Sequence, residues 1–185
     1  MLILDIAGFS KISESLGPER SFEVIKDLFR IVDPLIFDNK GVIDKKLGDG
    51  LIAFFGDSEE EKGPQDPLSE KRVPALQAVT AALQIQQKLR FEDSENLKSI
   101  KLRIGINSGE ALLGNAGSEL HFDYTVLGST VNFTQRLEAA CRPGHVLVSE
   151  STWQLVQDTG LQANQRSIEV KNDDKHYPAY ELASS

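Results

Sequence analysis

The sequence predicts a layered fold of strands and helices, either α/β or α+β, in a single domain. Strand-like and helix-like segments alternate along the chain, which is typical of helices packed on a sheet. The chain has 185 residues, close to one domain at roughly 150 residues per domain. Hydrophobic residues make up 40% and charged residues 26% of the sequence. This composition predicts a globular core that needs no disulfide or structural metal.

The first third of the chain predicts one strand, one helix and a β-hairpin. Met1–Ile6 is an apolar run with the length of a short strand. From Pro18 to Asp38 apolar residues recur at helical spacing opposite charged residues, which predicts an amphipathic helix on a sheet. Gly41–Ile43 and Leu51–Phe55 are strand-like, and the residues between them are rich in glycine and aspartate, as in a hairpin turn. Residues 57–67 contain two prolines and three consecutive glutamates, so we expect an exposed loop.

The remainder of the chain predicts three helices and six strands. The last two strands are expected to close the sheet as a hairpin. Ser129 stands where the second of these helices would begin, and serine is a common N-cap residue. The predicted helices are Ser69–Leu89, Gly128–Ala140 and Thr152–Val156. The predicted strands are Leu102–Ile106 and Ala111–Leu113, which form a pair around Asn107-Ser108-Gly109, and then Phe122–Val126, His145–Val148, Ile168–Val170 and Tyr177–Leu182.

The charge balance and the cysteine count exclude several classes of function. Twenty Lys and Arg against 28 Asp and Glu give a net charge of −8, which argues against nucleic-acid binding and against adhesion to an anionic membrane. A polyphosphate substrate stays possible, because a few placed cations and bound metals suffice locally. No apolar run approaches the roughly 18 residues of a membrane span. These features predict a cytoplasmic domain without membrane insertion. Cys141 is the single cysteine, so no intramolecular disulfide can form.

Two carboxylates follow or adjoin strand-like sequence and have glycine nearby. Asp5 stands in Leu-Asp-Ile-Ala-Gly, and Asp49 stands between Gly48 and Gly50. Each has a structural interpretation, because aspartate is common in turns and helix caps. If the first strand lies beside the hairpin, however, the two carboxylates face each other, which is costly unless divalent cations lie between them. Oxygen ligands of this kind favour magnesium or manganese.

Asn132 and Arg136 are four residues apart in a predicted helix, so both side chains lie on the same side. An amide and a guanidinium presented together suit a cluster of anionic oxygens such as a triphosphate. A solvated polar helix face gives the same spacing. The residues alone leave both interpretations open.

Four segments together resemble the class III nucleotidyl cyclase catalytic domain, the adenylate/guanylate cyclase family. Their order and intervals agree with the family pattern, and the similarity covers nearly the whole chain. The resemblance implies an α+β sandwich with a ferredoxin-like (palm-like) βαββαβ core, a mostly antiparallel sheet covered by helices, and a C-terminal strand, helix and hairpin. The segments are Asp5–Ser10, Lys45–Gly56, Arg103–Gly114 and Asp123–Glu138, with further similarity at Val170-Lys171 and Ala179–Leu182.

The resemblance assigns a metal site and a base site. Asp5 and Asp49 match the aspartates that bind two Mg²⁺ or Mn²⁺ ions per active site, and Ile6 matches the position that adds a backbone carbonyl ligand. Lys45 and Thr125 match the pair that selects the base. Lysine can donate to adenine N1 and threonine can accept from the exocyclic amine, so this pair resembles the adenine-reading form.

The resemblance also assigns residues around the ribose and the phosphates. Asn132 and Arg136 match the pair that orients the ribose and stabilises charge on the phosphate in the transition state, and Lys171 matches a lysine that holds the triphosphate. The implied reaction is attack of the ATP ribose 3′-oxygen on the α-phosphorus, which forms 3′,5′-cyclic AMP and releases pyrophosphate.

The resemblance implies a head-to-tail homodimer with shared sites. Asp5 and Asp49 would come from one chain, and Lys45, Thr125, Asn132 and Arg136 from its partner. Residues 1–185 are expected to be one catalytic domain, excised from a longer protein with a regulatory sensor on its N-terminal side. The alternatives are a guanylate cyclase and a cyclase-like module that binds nucleotide or a partner without turnover. A diguanylate cyclase is disfavoured, because the Gly-Gly-Asp/Glu-Glu-Phe signature is missing from the sequence.

Overall fold

The computed structural model describes residues 1–56, 67–118, 121–170 and 173–183. The expected loop at 57–67 therefore lies outside the described residues except for Pro67. The strands are β1 (Leu2–Ile6), β2 (Gly41–Lys46), β3 (Gly50–Phe55), β4 (Leu102–Ile106), β5 (Leu112–Ser118), β6 (His121–Leu127), β7 (His145–Ser149), β8 (Ala163–Val170) and β9 (Asp173–Leu182). The α-helices are α1 (Phe9–Leu16), α2 (Pro18–Asp38), α3 (Pro67–Arg90), α4 (Ser129–Ala140) and α5 (Glu150–Val156), and a 3-10 turn follows at Gln157–Thr159.

Seven of the described strands form one sheet in the order β2-β3-β1-β4-β7-β9-β8. Its first four strands pair antiparallel, with α2 between β1 and β2 and α3 between β3 and β4. This order is the ferredoxin-like βαββαβ core, and it confirms the predicted α+β class. β4 and β7 are a parallel pair, β8 and β9 form the expected final hairpin, and β5 and β6 form a separate two-stranded sheet.

The long helix α2 begins and ends at the predicted residues. Its buried side chains include Val24, Leu28, Val32 and Ile36, which recur every four residues and form one stripe toward the sheet. Phe22 is one of the apolar residues that predicted this helix, and its helical spacing was expected to place it on the buried side. It is instead 70% exposed, because the buried stripe runs through Ser21 and Val24 and Phe22 lies off that stripe.

The hairpin of β2 and β3 differs from the prediction in one respect that matters for the site. The polar segment from Asp44 to Lys46 was expected in the turn, but it belongs to β2. The pairing register shifts between Ile43 and Lys45, so Asp44 is the extra residue of a β-bulge. A bulge re-aims a side chain relative to its neighbours, and here it turns the Asp44 side chain into the protein, where 2% of it is exposed.

Two further expectations are corrected. Ala111–Leu113 was grouped with β4 around the Asn-Ser-Gly turn, but β5 pairs with β6 instead. Ser129 is the first residue of α4 rather than its cap, and the cap position is Gly128, with φ 146° and no side-chain cap hydrogen bond. A backbone at this φ favours glycine.

Helix α4 lies unusually close to β4 at Gly105. A Cβ at this position would overlap the backbone nitrogen of Glu138 and would lie 2.7 Å from the carbonyl oxygen of Thr134. Because these are backbone atoms, they cannot rotate out of the way. Glycine at 105 therefore sets the distance between the helix and the sheet.

Within the described residues, every helix lacks the combination of length and apolar composition that crossing a membrane requires.

Candidate active site

The two aspartates singled out by the sequence lie side by side. Strands β1 and β3 pair antiparallel with Asp5 opposite Gly50, so Asp49, the preceding residue, lies next to Asp5. Burial raises the pKa of the Asp49 carboxyl above its ordinary value, and the neighbouring Asp5 charge raises it further. The condition attached to these residues, that the first strand lies beside the hairpin, is met. Two neighbouring carboxyl groups form a site that a bound cation would stabilise.

Gly50 permits this close approach of β3 to β1. A Cβ at position 50 would lie 2.5 Å from the Leu4 carbonyl oxygen and 3.1 Å from Asp5 Oδ1. Any larger residue would push the strands apart and with them the two carboxylates.

The residues present fit a divalent cation. Magnesium is usually bound by one or two carboxylates and completes its octahedron with water and substrate phosphate oxygens. Asp5 and Asp49 would supply the carboxylates, and Ile6, the last residue of β1, would supply a backbone carbonyl. Among the residues that the structure describes, no group of three or more His, Cys, Asp or Glu is arranged to hold a metal. The site would therefore depend on substrate oxygens to complete the coordination.

Arg103 on β4 joins the carboxylate site to helix α4, and the sequence interpretation gave it no role. Its Nη2 donates to Asp5 Oδ2 at 2.7 Å. Its Nε lies 2.9 Å from Glu138 Oε1, an ion pair without the alignment of a hydrogen bond. The signal that could have found Arg103 is a charged residue inside the otherwise apolar strand Leu-Arg-Ile-Gly-Ile.

Glu138 is a buried carboxyl on α4. Burial raises its pKa from the ordinary 4.5 to about 7, against the opposing effect of Arg103 and with added repulsion from Asp5 and Asp49. The carboxyl therefore keeps its proton in the folded protein over a pH range in which it is ionised in the unfolded chain.

This shift predicts a pH dependence of stability. Between pH 4.5 and about 7 the unfolded chain binds fewer protons at this position than the folded protein, so the stability that Glu138 contributes falls as pH rises through the window. The expected fall is about 3 kcal/mol. Urea unfolding of the wild type and of Glu138→Gln across this range measures it as a pH-dependent difference between the two proteins. Glu23→Gln, at an exposed position on α2, is the control and should show no such trend. A constant difference between wild type and Glu138→Gln would contradict the shift.

The structure also brings Lys45 and Thr125 together, although 80 residues separate them. Lys45 Nζ donates to Thr125 Oγ1 at 2.8 Å, because the bulged end of β2 faces β6. Thr125 Oγ1 in turn donates to Asp44 Oδ2 at 3.1 Å, and Lys45 Nζ lies 3.3 Å from the same oxygen. Thr125 is buried, with 5% exposed, whereas Lys45 reaches the surface. Asp44 was expected in a turn and had no predicted role.

Asn132 and Arg136 are both exposed on α4, one helical turn apart as predicted. In the described part of the chain, no hydrogen bond or ion pair joins them to the Asp5–Asp49 pair or to Lys45 and Thr125. Lys171, the predicted triphosphate lysine, lies outside the described residues. One chain thus presents three separate groups: a carboxylate pair, a donor–acceptor pair and an exposed amide–guanidinium pair.

Comparison with known proteins gives a consistent match over the whole chain. The sequence model of the family described as "Adenylate and Guanylate cyclase catalytic domain" matches residues 1–183. The adenylate cyclase of Anabaena cylindrica is 27% identical over 195 residues, which cover 98% of this chain and 36% of that protein. The chain therefore spans about a third of the length of this relative.

Two crystal structures are similar over nearly the full length. The adenylyl cyclase CyaB from P. aeruginosa has a TM-score of 0.82 and 28% identity, over 100% of this chain and 92% of that one. The guanylyl cyclase Cya2 has a TM-score of 0.84 and 30% identity, over 99% of this chain and 90% of that one. The similar structures thus include cyclases of both base specificities.

Proposed function

The chain belongs to the adenylate and guanylate cyclase catalytic domain family, and we propose that it acts as an adenylate cyclase, converting ATP to 3′,5′-cyclic AMP and pyrophosphate. The observation that carries the choice of ATP is the contact between Lys45 Nζ and Thr125 Oγ1 at 2.8 Å. A pair held at this distance can read two adjacent positions on the edge of one base.

The chemistry of this pair matches adenine. The Lys45 ammonium only donates, and adenine N1 accepts; the Thr125 hydroxyl can accept, and the adenine 6-amino group donates. Guanine presents the reverse pattern, with an N–H at position 1 and a carbonyl oxygen at position 6. A site built to hydrogen-bond one pattern discriminates strongly against the other, because its buried polar groups are left unpaired.

The remaining residues would position and stabilise the reacting phosphate. Asp5, Asp49 and the Ile6 carbonyl would hold two Mg²⁺ or Mn²⁺ ions. Bound there, such cations lower the pKa of the ribose 3′-hydroxyl and neutralise the triphosphate. In the reaction the ribose 3′-hydroxyl releases its proton to solvent, a 3′-oxygen–phosphorus bond forms, the bond from the α-phosphorus to the bridging oxygen breaks, and pyrophosphate leaves.

Three side chains serve the sugar and the phosphates in this proposal. Asn132 would orient the ribose, and the Arg136 guanidinium would stabilise the charge that builds up on the α-phosphate. Lys171 would bind the triphosphate. The exposure of Asn132 and Arg136 on one face of α4 supports this role, because both side chains can reach a ligand outside the chain.

We extend the proposal to a head-to-tail homodimer that completes the site from two chains. Within one chain's described residues, no hydrogen bond or ion pair joins the carboxylate pair to the Lys45–Thr125 pair, and a second chain placed head to tail would bring both kinds of group to one nucleotide. Leu112 and Leu127, opposite each other on the β5–β6 hairpin, are 72% and 54% exposed. An exposed apolar pair next to the Thr125 strand suits burial against a partner chain.

The direct test is product identification. Purified protein is incubated with ATP or with GTP, each with Mg²⁺ or Mn²⁺, and the nucleotides are separated by chromatography. We expect cyclic AMP and pyrophosphate in equal amounts from ATP, with a lower kcat/KM for GTP. Cyclic GMP as the main product would establish a guanylate cyclase instead. Nucleotide binding without any cyclic product would establish an inert module.

A guanylate cyclase is the second candidate because Cya2, a guanylyl cyclase, is 30% identical to this chain. The chain's own Lys45 and Thr125 are the reason to rank it second.

A further inference from the structure

Asp44 is a buried carboxylate beside the proposed base-reading pair. The β2 bulge turns it inward, and its side chain is 2% exposed. We infer that Asp44 is a positioning residue that fixes the Thr125 hydroxyl as a hydrogen-bond acceptor and thereby selects adenine over guanine. This inference rests on the proposed function of Lys45 and Thr125, which it deepens.

The hydrogen-bonding capacity of the Thr125 hydroxyl is limited by its two neighbours. A hydroxyl has one donor and two acceptor lone pairs, and by itself it rotates to suit its partner. Here Lys45 Nζ occupies one lone pair at 2.8 Å, and the hydroxyl proton points to Asp44 Oδ2 at 3.1 Å. An ammonium only donates and a carboxylate only accepts. The direction of both hydrogen bonds is therefore determined, and the one capacity left to Thr125 Oγ1 is to accept.

Lys45 keeps a hydrogen-bond donor for the base, whereas Thr125 keeps an acceptor. Its ammonium has three N–H donors; one is used by Thr125, and the group also lies 3.3 Å from Asp44 Oδ2. At least one donor remains for the base, and the side chain is half-exposed. Asp44 thus contacts both members of the pair through one oxygen atom, leaving one to donate and the other to accept.

The direction of the Thr125 hydrogen bond matters because guanine and adenine exchange donor and acceptor groups at ring positions 1 and 6. Against the 6-carbonyl of guanine, a threonine hydroxyl that is free to rotate could donate its proton and form a good hydrogen bond. With its proton committed to Asp44, the hydroxyl presents a lone pair to a carbonyl lone pair. Thr125 alone would tolerate both bases, whereas Thr125 with Asp44 accepts only an amine.

The surroundings of Asp44 do not favour a carboxylate on grounds of stability. Its second oxygen, Oδ1, is buried and has no hydrogen-bond partner in the described part of the protein. A buried carboxylate oxygen without a partner costs free energy, and replacing such a group by an apolar residue is often neutral or stabilising. A positioning role at the base site accounts for an aspartate at this buried position of the edge strand β2.

The chain offers a matched control at Asp33. Asp33 Oδ2 accepts from Lys46 Nζ at 2.7 Å, and Asp33 Oδ1 is likewise buried without a hydrogen-bond partner among the described residues. Asp33 lies on α2, and within the described part of the chain no hydrogen bond or ion pair joins it to Thr125. Each aspartate therefore pairs with one of two consecutive lysines, but only Asp44 reaches the hydroxyl.

The test compares kcat/KM for ATP and for GTP in Asp44→Ala and Asp33→Ala. We expect Asp44→Ala to lower the ATP-over-GTP ratio by about 10-fold, whereas Asp33→Ala should leave it unchanged. A merely structural effect would lower both activities together and leave the ratio intact, and that result would overturn the inference. If the alanine variant does not fold, Asp44→Val replaces it, because valine suits a strand and fills the space.

A double variant tests whether Asp44 acts through Thr125. In a Thr125→Val background no hydroxyl remains to be oriented, so Asp44→Ala should lower the ratio no further. An equal drop with and without the hydroxyl would overturn the proposed route.

A binding measurement separates this inference from the proposed function. The 3′-deoxy forms of ATP and GTP lack the attacking oxygen, so their Kd values report base selection without turnover. A wild type that makes no cyclic nucleotide contradicts the proposed function, and the Kd ratio in wild type and Asp44→Ala then still decides the role of Asp44. If the wild type prefers ATP and the Kd ratio of the two nucleotides is the same in Asp44→Ala as in the wild type, the inference alone is contradicted. Tighter binding of the guanine nucleotide to the wild type contradicts both.

Discussion

Replacing Asp49 by alanine is expected to reduce cyclic AMP formation at least about 100-fold without weakening the fold. Asp49 lies beside Asp5, and both burial and the Asp5 charge raise its pKa. Removing one member of a repelling pair relieves the folded protein of an unfavourable interaction while it removes a cation ligand. Activity and stability should therefore separate. Product analysis measures the first, and urea unfolding measures the second.

The same variant tests the shared site when it is mixed with Arg136→Ala. Arg136 is exposed, so its truncation should also leave the fold intact while it abolishes activity. In a mixed dimer, one site combines both defects and the other has an intact Asp49 from one chain and an intact Arg136 from the other. Because half of the randomly paired dimers are mixed and each has one intact site of two, an equal mixture should recover about a quarter of wild-type activity.

The mixture needs proof of exchange and a matched control. Differently tagged chains that co-purify show that mixed dimers form. The control is Arg30→Ala, at an exposed position on α2, which should be fully active alone. Mixed with either inactive variant, it should give no more activity than the Arg30→Ala chains themselves contribute. Proven mixed dimers that stay inactive would contradict a site shared between chains.

Replacing Gly105 by alanine is expected to destabilise the fold strongly. The added Cβ would overlap the Glu138 nitrogen and lie 2.7 Å from the Thr134 carbonyl oxygen, so α4 must move away from β4. We expect the free energy of unfolding to fall by about 3 kcal/mol. Activity should fall as well, because α4 carries Asn132 and Arg136. Urea unfolding and the cyclase assay measure the two effects.

Gly114→Ala is the control for Gly105→Ala. Gly114 lies in β5, and a Cβ there would have no heavy atom of the described structure within 4 Å. Its expected change in unfolding free energy is within about 0.5 kcal/mol. Equal unfolding midpoints for the two variants would show that helix α4 adapts to the methyl group without cost.

The parts of the fold that the sequence predicted are those whose local pattern matches their environment. Both ends of helix α2 were predicted correctly, because its buried residues recur every four positions. Strands β1 and β4 were predicted because they are mostly apolar runs. The end of β2 was not found, since Asp44, Lys45 and Lys46 are polar and no local rule reveals a bulge. The pairing of β5 with β6 was missed because hydrogen bonding between strands is a tertiary choice.

Helix α1 illustrates a further limit. It has eight residues and no fully buried side chain, so its apolar spacing is too short to distinguish it from a loop. Its packing against the core through partly buried residues such as Phe9 and Leu16 is visible only in the folded chain.

The candidate site residues could be predicted because they match motifs of the family, but the charged groups around them could not. The adjacency of Asp5 and Asp49 was conditional on strand order, and the fold supplies that order. Asp44, Arg103 and Glu138 could not be assigned, because each matters only through a side chain that lies far away in sequence or on another element. Electrostatic partnership is a property of the folded state.

The turn between β2 and β3 has a consequence for how two sites in a dimer would communicate. Lys45 and Asp49 are four residues apart, and between them Gly48 has φ 73°, so the chain makes a tight turn. In the proposed head-to-tail dimer Lys45 would face the nucleotide of one site and Asp49 the cations of the other. Nucleotide binding at the first site that displaces this turn would change cation affinity at the second, and linkage requires the reverse effect to be equal. A saturation curve with a Hill coefficient different from one would be the signature of this coupling.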